Sequence, residues 1–200
     1  MRMRKSILLL AALVCFLPLP AQNAPLEGGK RTDAIASILR ANDIRTSLQF
    51  DFVMTRHSAL MAEPLVSRGN AAYVYPDRVR WEVVSPRPSL FVFNGQAVTD
   101  RRQQALLRNV SKISEKGLIN EDDFRVTVYE APGQWQVDMV PLRRDLSQLF
   151  SRITLLADSA TGALRAIVLT ETSGDVSEIK VSRFVKGRPV DDSLFLPPKQ

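Results

Sequence analysis

Ser47-Leu48-Gln49-Phe50-Asp51-Phe52 alternates polar and apolar side chains without a break, and marks where the chain changes from a helical to an extended period. A strand sends successive side chains to opposite faces, so Leu48, Phe50 and Phe52 share one face and Ser47, Gln49 and Asp51 the other. Just upstream, Ile35, Ile38, Leu39 and Ala41 fall on the spacing of one helical face. Thr32 or Asp33 is the expected cap of that helix, and Asn42-Asp43 its expected end. Downstream, a second strand spans about residues 65–75 and is punctuated by Pro76-Asp77. Val79, Trp81 and Val83 then alternate with Arg78, Arg80 and Glu82. Pro86 and Pro88 break the pattern before an apolar run at 90–93. Asn94-Gly95 follows, a strong hairpin signal because both residues tolerate positive φ.

The rest of the chain reads the same way. Residues 103–119 carry Leu106, Leu107, Val110, Ile113 and Leu118 near helical spacing, which fits short helices or a mobile arm. Strands are expected at about 124–130 and 134–139 around Pro132-Gly133, and at 153–157, 164–170 and 176–185, with a helical turn near 145–150. About nine or ten short strands joined by tight turns, with no crossover helices, predict an α+β fold that is mostly β. The sheet would be antiparallel and meandering, curled or part-closed into a barrel.

Hydrophobic residues make up 45% of the sequence and charged residues 24%, enough apolar material for one folded domain over 200 residues. Arg2, Arg4 and Lys5 precede an apolar run from residue 7 to 17, and Pro18, Pro20 and Ala21 end it. This is the pattern of a cleaved export signal over residues 1–21, followed by a flexible leader at 22–31 and a domain over 32–200. An exported, periplasmic protein is therefore expected. Cys15 is the sole cysteine and lies inside the apolar run, preceded by Val14 rather than a small residue, so lipid anchoring is the weaker reading. Losing the three basic residues with the signal takes the formal charge from +6 to +3, which is no nucleic-acid signature.

Catalytic chemistry has little to work with. His57 is the one histidine and has no identifiable partner residues. A zinc site would lack ligands, no phosphate-binding glycine loop occurs, and Glu121-Asp122-Asp123 lacks the alternating oxygens of a calcium loop. No enzyme activity, cofactor or metal is expected. What the chain offers is aromatic surface: Phe50, Phe52, Trp81, Phe91 and Phe93 lie on neighbouring expected strands. They could line a lipid cavity or form ordinary core beneath a helix, and residue types alone do not separate the two.

An ordered string of features resembles the LolA family of periplasmic outer-membrane lipoprotein carriers. It comprises the helix-to-strand passage at 35–52, Tyr75-Pro76-Asp77-Arg78-Val79-Arg80-Trp81-Glu82, Ser85-Pro86, and Leu90-Phe91-Val92-Phe93-Asn94-Gly95. Val140-Pro141 follows, and then the tail from Val185-Lys186-Gly187 through Asp191-Asp192 to Phe195-Leu196-Pro197-Pro198. The resemblance covers roughly residues 32–199. It implies a half-open antiparallel barrel with an apolar inner face under a helical lid, for which 103–119 is the candidate. It also implies a monomer that takes an acylated lipoprotein from an inner-membrane release complex to an outer-membrane acceptor. Carried onto this sequence, Ile44, Leu48, Phe50, Phe52, Trp81, Phe91 and Phe93 are the expected lipid-binding positions. The chain departs from the family pattern twice. Tyr75 stands where a basic residue before the proline latches the lid, leaving Arg78 or Arg80 as substitutes. Gln96-Ala97-Val98 stands where an aromatic often follows the Asn-Gly pair. Another envelope lipid as cargo, or acyl sensing on behalf of a signalling partner, is the alternative function on the same fold.

Overall fold

The computed structural model describes residues 24–94 and 117–196. Among these residues, nine strands form one antiparallel sheet: β1 (Ser47–His57), β2 (Leu65–Val74), β3 (Arg78–Ser85), β4 (Ser89–Asn94), β5 (Phe124–Ala131), β6 (Gln134–Pro141), β7 (Phe150–Asp158), β8 (Leu164–Glu171) and β9 (Val176–Lys186). Their order across the sheet is β4-β3-β2-β1-β9-β8-β7-β6-β5, so the sheet is open, with β4 and β5 at its edges. Two meanders, β1–β4 and β5–β9, meet along a single seam where β1 pairs with β9. The expected strands are all present, with ends within a few residues of those read from the alternation. The expected helices or arm at 103–116 lie outside the described residues. Residues 117–119 lead into β5, and Ile119 is buried.

Helix α1 (Gly28–Ala41) starts earlier than expected. Thr32 does not cap it; its hydroxyl donates to the Gly28 carbonyl one turn back, inside the helix. Gly28-Gly29, which suggests a loop in sequence, forms the first turn, where the backbone N–H groups lack helical partners anyway. Part of the expected leader is also tied down: the Leu26 amide donates to the Val128 carbonyl, and Pro25 bridges Tyr129 on edge strand β5. The helix ends at Asn42, as the sequence suggests.

Ala34 and Ile38 of α1 pack with Val128, Val137, Leu155 and Ala157 from β5, β6 and β7. Leu146 joins them from the short helix α2 (Arg144–Ser147). A second cluster centres on Phe52, Ala71 and Ile179, and Ile167 on β8 packs against both. The β7–β8 turn comes so close to α1 that a Cβ on Gly162, which takes a φ of +75°, would lie 2.5 Å from the Ser37 carbonyl oxygen.

Asn42 fastens this contact. Its amide donates to the carbonyls of Ile38 at 2.7 Å and Gly162 at 2.9 Å, and its carbonyl accepts from the Leu164 amide at 3.0 Å. The side chain is buried, so water does not replace these bonds when they are lost. Asn42→Ala is expected to destabilise the protein by about 2–3 kcal/mol. Urea unfolding checks this; an unchanged midpoint would mean that the pin carries no stability.

Candidate functional site

Cross-strand register decides which side chains share a face, because directly opposed residues point the same way. Phe50 opposes Ala71 and Phe52 opposes Gly69; Ala71 in turn opposes Trp81, which opposes Phe91, while Val79 opposes Phe93. With Leu48 opposite Tyr73, the expected positions Leu48, Phe50, Phe52, Trp81, Phe91 and Phe93 therefore stand on one face of the sheet. The same face continues through Ile179, Ile167, Leu155, Val137 and Val128. It is the face that α1 covers over the β5–β7 side. Ile44 lies in the link between α1 and β1, half-buried and outside the sheet.

The rings touch one another. Trp81 stacks on Phe52 with centroids 4.0 Å apart and planes at 22°. Phe50 meets Trp81 edge-on at 6.3 Å and stacks on Phe184, also at 6.3 Å. Phe184 was not legible as a partner in sequence, because it sits at an irregularity in β9 where alternation fails. There Arg183 adopts a φ of +48° and pairs with Asp51 at 3.0 Å. Burial divides the group. Phe52 is 1% exposed and Leu48 7%, so they form a floor, whereas Phe50, Trp81, Phe91 and Phe93 remain half-buried. Helix α1 covers this same face only towards β5–β7, and none of its residues packs in the Phe52 cluster, so these four are not core beneath it.

The arginines offered as lid latches have a different setting. Arg78 and Arg80 alternate with Val79 and Trp81, which puts them on the opposite face. Arg80 donates to the Leu194 carbonyl at 3.1 Å and to the Glu82 carboxylate at 2.9 Å. That bond, helped by Asn70, holds Glu82 below the usual carboxylate range. Arg78 pairs with Asp192 at 2.5 Å, and its guanidinium lies 5.1 Å from the centre of the buried Phe195 ring. Among the described residues, both bond to the C-terminal turn at Asp192–Phe195; the candidate lid they would latch lies outside those residues. Tyr75 is exposed in the β2–β3 turn. A cavity of about 350 Å³ lies beside that C-terminal turn, with a mixed lining in which Gln49, Asn70, Arg80 and Glu82 stand beside Phe50 and Leu194.

Among the described residues, no group of three or more His, Cys, Asp and Glu side chains is placed to hold a metal ion. His57 is exposed at the end of β1. The site is an apolar, aromatic surface, suited to binding by burial rather than to bond-making chemistry.

The family model described as outer membrane lipoprotein carrier protein LolA matches residues 45–197, which takes in every strand of the sheet. The chain belongs to the LolA family. A relative from Nitrosomonas europaea, described as an outer-membrane lipoprotein carrier protein, is 24% identical over 205 residues, covering 96% of this chain and 94% of the relative. Among solved structures, a LolA superfamily protein from Nitrosomonas europaea is 13% identical with a TM-score of 0.40, over 81% of this chain and 97% of that one. A Pseudomonas aeruginosa MucA/MucB complex is similar at 17% identity and a TM-score of 0.42, over 83% of this chain and 60% of that one. The LolA family is a binding and carrier family.

Proposed function

We propose that this LolA-family protein is a periplasmic carrier that shields the acyl chains of lipoproteins between the inner and outer membranes. One observation carries the reading: the half-buried aromatic group of Phe50, Trp81, Phe91 and Phe93, on a sheet face that the described helix leaves uncovered. Exposing an acyl chain to water costs about 0.8 kcal/mol per methylene, so a carrier must offer replacement apolar surface. It must also release its cargo. A half-open barrel with a movable helical lid would meet both needs, by exchanging lid contacts for acyl contacts. An inner-membrane release complex as donor and an outer-membrane acceptor would complete the scheme; the Nitrosomonas europaea relative is itself described as an outer-membrane lipoprotein carrier protein.

The test is displacement of an environment-sensitive fluorescent fatty acid from the exported protein. A synthetic triacylated lipopeptide, free fatty acid and a lipid A analogue serve as competitors. The lipopeptide is expected to displace the probe at least tenfold more effectively than the others. Preference for a different lipid would reassign the cargo. If no apolar probe binds at all, the aromatic face is not a lipid site.

A further inference from the structure

The β1–β2 connection departs from what a soluble loop should carry. Ser58-Ala59-Leu60-Met61-Ala62-Glu63-Pro64 holds one charge, and Leu60 at its tip is 95% exposed. The exposure is built in. The Met61 amide donates to the Ser58 carbonyl at 3.1 Å and the Leu60 amide to the Ser58 hydroxyl at 3.3 Å, so an ordered turn displays the leucine outward. Met61, Leu65 and Val66 are exposed around it at 36%, 42% and 39%. The neighbouring strand end adds Val84, 51% exposed at the bulge where Arg68 pairs with Ser85 and Gly69 with Val83. One exposed leucine is ordinary on a protein surface; five exposed apolar residues on one connection and the strand ends beside it are not.

Charge narrows what the corner meets. Arg68 and Arg87 flank it, both exposed, and Glu63 is the one acid within the connection. Arg56, at the base of the hairpin, is already paired with Asp175 at 2.8 Å and Glu171 at 3.2 Å. A convex apolar tip flanked by guanidinium groups matches the boundary between acyl chains and anionic headgroups: leucine and methionine enter the hydrocarbon edge while arginine meets phosphate. We propose that the β1–β2 tip, with Val84, Arg68 and Arg87 beside it, docks the protein reversibly on anionic phospholipid membranes. The surface is separate from the Trp81 face, and the proposal does not depend on lipid carriage.

Flotation of the exported protein with vesicles tests it. Vesicles of phosphatidylethanolamine and phosphatidylglycerol at about 3:1 are compared with phosphatidylcholine vesicles at low salt, where surface electrostatics are least screened. Preferential binding to the anionic vesicles is expected. Leu60→Glu with Met61→Glu should lower that partitioning at least tenfold. Arg68→Glu with Arg87→Glu should remove the preference for anionic lipid. Both double variants replace exposed residues, so thermal unfolding should be nearly unchanged. Phe91→Asp, on the aromatic face, should still float like the parent protein, which separates docking from acyl binding. Absence of vesicle binding by the parent protein, or parental binding by the Leu60/Met61 variant, would overturn the proposal. A Leu60-dependent dimer in sedimentation, without vesicle binding, would assign the corner to a second copy of the chain instead.

Discussion

Gly69→Ala is expected to cost more than about 3 kcal/mol, above the usual range for overpacking, and to leave little folded protein. A Cβ at position 69 would lie 1.9 Å from the Glu82 carbonyl oxygen and 2.6 Å from Cζ of Phe52. The first obstacle is backbone of the paired strand, which cannot turn aside without breaking the β2–β3 ladder. The second is the ring of a residue buried at the centre of the aromatic cluster. Glycine is required here because β3 bulges between Ser85 and Val83 and the two backbones draw together. Gly29→Ala is the matched control. It has no atom within 4 Å of the added methyl group and sits in a helix, so the change should be neutral or stabilising by up to about 1 kcal/mol. Urea titration of both variants checks the pair, and equal midpoints would show that the Gly69 contact yields freely.

Trp81→Asp should weaken binding of a fluorescent fatty acid at least tenfold, or about 1.4 kcal/mol. An acyl chain lying on this face would have to desolvate a carboxylate where an indole now stands. The same change removes the stack on Phe52. Because Trp81 is only half-buried, the stability loss should be about 2 kcal/mol, short of the ~3–5 kcal/mol for a fully buried aromatic. Phe91→Asp is the companion, since Phe91 opposes Trp81 from edge strand β4 and has fewer strands around it. The measurement is probe affinity together with thermal unfolding for each variant. Two folded variants with parental affinity would remove this face from consideration as the acyl site. If Trp81→Asp fails to fold, Phe91→Asp alone decides.

The strands were legible because alternation is a local property, and each strand writes its own face. The strand pairing then gathered the expected aromatic residues on one face. Other features depended on distant neighbours. Gly28-Gly29 breaks helices on average, yet here it begins one. Asn42 reads as a helix stop, and nothing nearby says that it reaches the Gly162 turn, 120 residues away. For Arg78 and Arg80, alternation with Trp81 already placed them on the other face, whereas their bonds to the C-terminal turn depend on residues more than a hundred positions away. The Leu60 tip emerged only with the turn geometry that holds the side chain outward.

The β1–β9 seam also governs the order in which the molecule can assemble. Seven of the eight strand pairs join neighbours along the chain, whereas His57 of β1 pairs with Val176 of β9, 119 residues later. Synthesis runs from the N-terminus, so the β1–β4 meander forms first and keeps the hydrogen-bonding groups of its β1 edge open until β9 arrives. That interval is the window in which two nascent copies can pair strand to strand. The last strand before the C-terminal turn is thus what converts an adhesive half-sheet into a finished molecule.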